Sequence, residues 1–156
     1  MKKYTIIFLW LLLPTIVSAQ SPDFDSLMKK YEGTEGVTTF SITGKMLQTL
    51  SKNENSALSD IESLSVIIPE DEKGPNKRIR DDLRNDLTAF LTKGKYEEVY
   101  SFSEDGTVVK IYFATVKKTH RYIYSVKENA VLECIVYLQG NVDIGQVRKI
   151  TSGLKK

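Results

Sequence analysis

The last third of this 156-residue chain restricts its fold more than any other part. Four segments rich in β-branched and aromatic residues follow one another, at 96–103, 107–116, 120–126 and 130–138. Such composition reads as strand. Asp105-Gly106, between the first two, is a strong hairpin turn signal, because a two-residue turn needs residues that tolerate positive φ. Residues 117–119 and 127–129 are the next two turns. Short turns join antiparallel neighbours, so a four-strand meander is expected.

Helices and two further strands precede it. Ser21 can cap a first helix and Pro22 suits its first position. Phe24, Leu27, Met28 and Tyr31 give that helix an apolar stripe, and Gly33 and Gly36 end it. Residues 37–42 read as a strand, 44–50 as a short helix with Met46, Leu47 and Leu50 on its apolar side, and 51–59 as a polar loop. Residues 61–68 alternate as a second strand, stopped by Pro69. An acidic loop, 70–75, leads to the clearest helix, 76–93. Its Ile79, Leu83, Leu87, Phe90 and Leu91 share one face, with Arg80, Asp81, Arg84 and Asn85 largely outward. Gly94 ends it. After the meander, Gly140-Asn141 opens a last short helix, 142–152, with Ile144, Val147 and Ile150 on one side. Mixed elements followed by clustered strands predict an α+β fold. The expected architecture is a single domain, a largely antiparallel sheet whose C-terminal meander packs against helices.

The N-terminus adds a compartment. Lys2 and Lys3 precede an uncharged, mostly apolar run over residues 4–17, and Val17-Ser18-Ala19 ends it with small residues. That is the pattern of a cleavable export signal, cut between Ala19 and Gln20. The run is too short for a membrane span, which needs roughly 20 residues. No Cys lies near the cut to take a lipid, so no stable membrane anchor is expected after cleavage. Residues 1–19 are therefore read as signal peptide and 20–156 as the domain, periplasmic or secreted. Loss of Lys2 and Lys3 turns 22 basic against 20 acidic residues into an even balance. No net positive field then remains to attract nucleic acid or anionic lipid. The lone Cys134 cannot form an internal disulfide.

Phe24-Asp25-Ser26-Leu27-Met28-Lys29-Lys30-Tyr31, followed by Gly36-Val37-Thr38-Thr39-Phe40-Ser41-Ile42-Thr43-Gly44-Lys45-Met46-Leu47, resembles the opening of a family of small exported Gram-negative proteins, domain-of-unknown-function family 4252. The resemblance extends over essentially the whole mature chain. It implies an envelope location, and it carries no activity, cofactor or catalytic residue across.

The residues themselves offer little chemistry. His120 and Cys134 are the sole residues of their kinds, and strand alternation is expected to set them on opposite faces. His120 is expected at a solvated turn edge and Cys134 in the core. Zinc sites draw several His or Cys ligands, so no metal is expected. Ser26-x-x-Lys29 lacks the companion motifs of a serine nucleophile. Gly44-Lys45 lacks the glycine and the hydroxyl of a phosphate loop, because Thr39 and Met46 stand at those positions. Glu104-Asp105-Gly106 lacks the spaced ligands of a calcium loop. Glu97 and Glu98 point to opposite sides of a strand, unlike the paired acids of a hydrolase. No cofactor is expected.

A tyrosine-rich sheet face is the remaining candidate. Pairing about Asp105-Gly106 sets Tyr100, Phe102, Val109, Ile111 and Phe113 on one apolar face, joined by Ile123, Leu132, Cys134, Val136 and Leu138, and this is the expected core side. The other side then carries Lys110, Tyr112, Tyr122, Tyr124, Glu133 and Tyr137. Tyrosines offer rigid apolar area plus a hydroxyl, which suits recognition. The expectation is a non-enzymatic envelope binding module, taking another envelope protein, a peptide or a glycan on this face, or pairing with itself there. An enzyme with an unrecognised carboxylate or tyrosine site, or an envelope signalling accessory, is the alternative. Burial of the four tyrosines under the chain's own helices would remove the open face.

Overall fold

The computed structural model describes residues 22–51, 60–70 and 76–147. The expected signal peptide, its Ala19–Gln20 cut, most of the 51–59 and 70–75 loops and residues 148–152 of the last helix lie outside them. The described elements are α1 (Phe24–Tyr31), β1 (Val37–Thr43), α2 (Gly44–Ser51), β2 (Ile61–Pro69), α3 (Asn76–Lys93), β3 (Glu97–Glu104), β4 (Thr107–Val116), β5 (Thr119–Glu128) and β6 (Val131–Gly140). The six strands form one sheet in the order β1-β2-β6-β5-β4-β3, antiparallel at every step. The fold is α+β, with the C-terminal meander forming four of the six strands.

α1 starts at Phe24, two residues after Pro22, so Asp23 caps it in place of the expected Ser21: the Asp23 carboxylate accepts from the Asp25 amide at 3.3 Å. Lys29 and Lys30 sit in its last turn, where the helix dipole favours cations. α3 carries the chain from β2, beside one edge, to β3 at the other. α1 and α3 together cover one face of the sheet. Phe24, Leu27, Met28 and Tyr31 of α1 and Leu83, Leu87 and Phe90 of α3 pack on Ile67, Ile123, Leu132, Ile135 and Tyr137.

Arg80 departs from the outward position expected of it. Its residue is only 6 % exposed. The guanidinium donates to the Glu70 carbonyl from Nε at 3.1 Å and Nη2 at 2.9 Å, to the Pro69 carbonyl at 3.3 Å, and to Glu133 at 3.1 Å. It satisfies the Pro69 and Glu70 carbonyls where β2 ends and its pairing with β6 has stopped at Ile67.

The meander's turns set which side chains share a face. Lys117 and Lys118 both have positive φ (49° and 69°), and Val116 pairs directly with Thr119. This is a two-residue hairpin of the mirror-image type that matches strand twist. The expected three-residue turn would place Tyr112 opposite Tyr124; the two-residue turn places it opposite Ile123. A one-residue slip sends every side chain of a strand to the other face. Asn129 and Ala130 repeat the device at the β5–β6 turn. A bulge follows, with Val126 opposite Cys134 and Lys127 opposite Leu132. The extra residue, Glu133, lets both Leu132 and Glu133 reach the helix-covered side.

The last helix begins at Ile144, two residues later than expected. Residues 144–147 are helical, and Asp143 and Gln146 cap each other's amides reciprocally, at 3.0 and 2.9 Å.

Candidate functional site: the second face of the sheet

The six residues expected on one tyrosine face divide between two. Tyr112 and Tyr137 lie on the helix-covered side. Tyr137 is 4 % exposed, stacked on Phe24 with ring centroids 4.5 Å apart, and its hydroxyl donates to Gln139 at 2.7 Å. Tyr112 is half-buried against the same cluster. Glu133 is paired with Arg80, and Lys110 with Glu98 at 2.6 Å. Tyr122 and Tyr124 lie on the opposite side. Tyr122 is buried there, donating to the Val142 carbonyl at 2.9 Å, and Tyr124 is half-buried. The expected shared face is thus corrected: the Lys117-Lys118 turn rotates β5 by one residue relative to β4.

The same rotation builds a different surface. Cross-strand partners Phe40, Val66, Val136, Tyr124, Ile111 and Tyr100 form one row that traverses all six strands. A flanking row runs Ile42, Leu64, Leu138, Tyr122 and Phe113. Leu47 of α2, with Val142 and Val147, packs over that flank. On the other flank lie Phe102, Val109, Val126 and Cys134, with Ile68 two residues beyond Val66. None of these five belongs to the buried cluster that Leu47, Val142 and Val147 make. Phe40 is 43 % exposed and Ile68 37 %. Among the described residues the sheet therefore has two apolar faces, one under α1 and α3 and one on which Leu47, Val142 and Val147 pack along one flank.

His120 also differs from expectation. Its Nδ1 lies 3.1 Å from the Val142 carbonyl, and its ring meets Phe113 and Tyr122 edge-on, so it wedges the covered flank instead of sitting in solvent. It shares a face with Cys134, against the expected opposition. His120 pairs with Gly140 and Cys134 with Val126, however, which sets them about 20 Å apart along the strands. A nucleophile and its base need hydrogen-bond contact. Burial pushes the Cys134 thiol up to about 11, and the Glu133 carboxylate adds to the rise. Alkylation of Cys134 by iodoacetamide at pH 8 should run about a hundredfold slower than that of an unhindered cysteine, because the thiolate is the reacting species. A rate equal to the denatured protein's would refute the buried placement.

Between α1 and α3 a depression of about 440 Å³ is lined by Asp23, Lys30, Asp86 and Lys93, among others. Burial alone would raise the Asp86 carboxyl, but hydrogen bonds from Lys30 and Tyr31, at 2.5 and 2.6 Å, hold it below the usual range. The Asp86 charge is already matched within the chain. Among the described residues no three His, Cys, Asp or Glu side chains gather to hold a metal. No helix among them is long and apolar enough to cross a membrane.

Residues 31–150 match the model of a domain of unknown function, DUF4252. The chain belongs to the DUF4252 family. The matched segment spans every strand of the sheet together with α2 and α3. It starts at the last residue of α1, so the Phe24–Lys30 stretch precedes it although Phe24 lies in the core. No curated protein and no solved structure matches this DUF4252 chain significantly. Sequence reasoning set Tyr100, Ile111 and Val136 of the row on one apolar face, but took that face for the side under the helices, put Tyr122 and Tyr124 on the other, and missed Arg80. The signal for the row was present in the unbroken apolar parity of β2, β4 and β6.

Proposed function

We propose that this DUF4252 protein is an exported, non-catalytic binding module of the envelope, and that the half-covered sheet face is its working surface. The partner is another protein that presents an apolar and aromatic surface. One observation carries the reading: the apolar row crosses all six strands, and beside it this face leaves Phe40 and Ile68 exposed and Phe102 and Val126 part-exposed. Large apolar side chains left exposed beside a continuous apolar row mark interaction sites. A glycan needs flanking polar groups, and these rows supply only tyrosine hydroxyls and the Thr38 hydroxyl. The export reading rests on the Lys2-Lys3, apolar and Ala19 pattern. The non-enzymatic reading rests on a sequence without a convergent nucleophile, base and orienting group.

Site-specific photocrosslinking tests it in the producing cells. A benzophenone side chain at Phe102 or Tyr124 should give one discrete adduct, and the same group at Thr88, on the outward side of α3, should not. Val126→Lys should weaken that adduct about tenfold, as central interface charges do. Adducts of equal yield from all three positions, or no effect of Val126→Lys, would remove this face as the site.

A further inference from the structure

The two edges of the sheet are protected very differently. β3 carries Glu97, Glu98 and Glu104 and a register shift between Glu98 and Tyr100. Charges and bulges are how proteins stop an edge from pairing with another chain. β1, at the opposite edge, reads Val37-Thr38-Thr39-Phe40-Ser41-Ile42-Thr43, with no charge, proline or bulge, and no described strand pairs with its outer side. Thr38, Phe40, Ser41 and Thr43 are exposed.

The direction of its backbone groups follows from one hydrogen bond. The Glu70 amide donates to the Gly36 carbonyl at 2.8 Å, one step beyond the Val37–Pro69 pair. In an antiparallel ladder hydrogen-bonded and non-hydrogen-bonded pairs alternate. Thr38, Phe40 and Ile42 therefore point their amides and carbonyls at β2, and Thr39, Ser41 and Thr43 point theirs outward. Val37 fits the same alternation, since its amide turns back to the Thr34 carbonyl at 3.1 Å.

We propose that β1 is a self-association edge, pairing antiparallel with β1 of a second copy about a two-fold axis at Phe40. In that register Thr39 exchanges hydrogen bonds with the second copy's Ser41, and Ser41 with its Thr39. Phe40 meets the second copy's Phe40 at a non-hydrogen-bonded position, where side chains approach most closely and aromatic pairs are favoured. Thr38 faces the second copy's Ile42. The segment brings no charge into the contact, whereas β3 paired with itself would bring its glutamates together. The two-fold keeps like faces together, so the apolar rows of both copies join through the two Phe40 rings. An isologous contact of this kind closes at two copies.

Disulfide trapping reads the register directly. In a Cys134→Ser background, Phe40→Cys should cross-link to itself, because paired Cα atoms at such a position lie about 4.5 Å apart. Thr38→Cys should not, because four residues of offset put the two Cα atoms about 14 Å apart. Sedimentation of the unmodified folded protein at high micromolar concentration should give a dimer. Thr39→Pro, which deletes an outward amide and spares the ladder to β2, should give a monomer with an unchanged circular dichroism spectrum. If that variant does not fold, the cross-linking contrast decides. A monomeric wild type, or equal cross-linking from positions 38 and 40, would overturn the proposal. Neither result depends on what occupies the apolar face, so the partner-binding reading stands or falls separately.

Discussion

Phe24→Ala is expected to lower the unfolding free energy by about 4 kcal/mol, the cost of emptying a fully buried aromatic site. Phe24 has no exposed surface. Its ring stacks on Tyr137 of β6 and meets Phe90 of α3 edge-on at 5.6 Å, so it ties α1 to both layers of the core at once. Aromatic contacts of this geometry add to area burial. Neither partner can fill the space, because both rings are anchored on regular elements. For a domain of this size the thermal midpoint should fall by roughly 10–15 °C. Urea titration of wild type and variant measures the effect. A loss below about 1 kcal/mol would mean that α1 contributes little to the folded domain, a pointed outcome because most of α1 precedes the segment shared with the family.

Arg80→Leu should cost about 3 kcal/mol, although the change is from a charged to an apolar residue in a buried position. The guanidinium serves two main-chain carbonyls and a carboxylate. Leucine fills part of the volume and leaves the Pro69 and Glu70 carbonyls without a donor. The ion pair itself contributes little, because Glu133 is 37 % exposed at its side chain and screened by water. Glu133→Gln should therefore change stability by less than about 0.5 kcal/mol. Chemical denaturation of both variants separates the two roles. Equal losses would show that the ion pair, and not the carbonyl cap, holds α3 to the end of β2.

Much of this fold was legible in the sequence. α3 was readable to the residue, because eighteen positions of helical periodicity end at Gly94. β4 was equally clear, bounded by Asp105-Gly106 and a run of β-branched residues. Faces were harder than elements. The Lys117-Lys118 and Asn129-Ala130 turns hold both central residues at positive φ without the Asn-Gly or Asp-Gly signature that normally announces such a turn. Their true length was hidden, and with it the phase of β5. Arg80 was misplaced because amphipathic spacing counts a charge as outward, while its position beside the end of β2 is set by the long-range packing of α3. The candidate surface changed for the same reason: a contact between β4 and β5 decides which tyrosines meet, and one residue of turn decides the contact.

The place of β6 in the sheet also fixes an order of events. It is the last strand in sequence, yet it lies between β2 and β5, and no other described strand joins the two halves. A chain that emerges N-terminus first carries β1–β2 and β3–β5 as separate fragments until Gly140 is free. The hydrogen-bonded sheet cannot close early around an incomplete chain. Its final strand is the one that joins the two halves of the sheet.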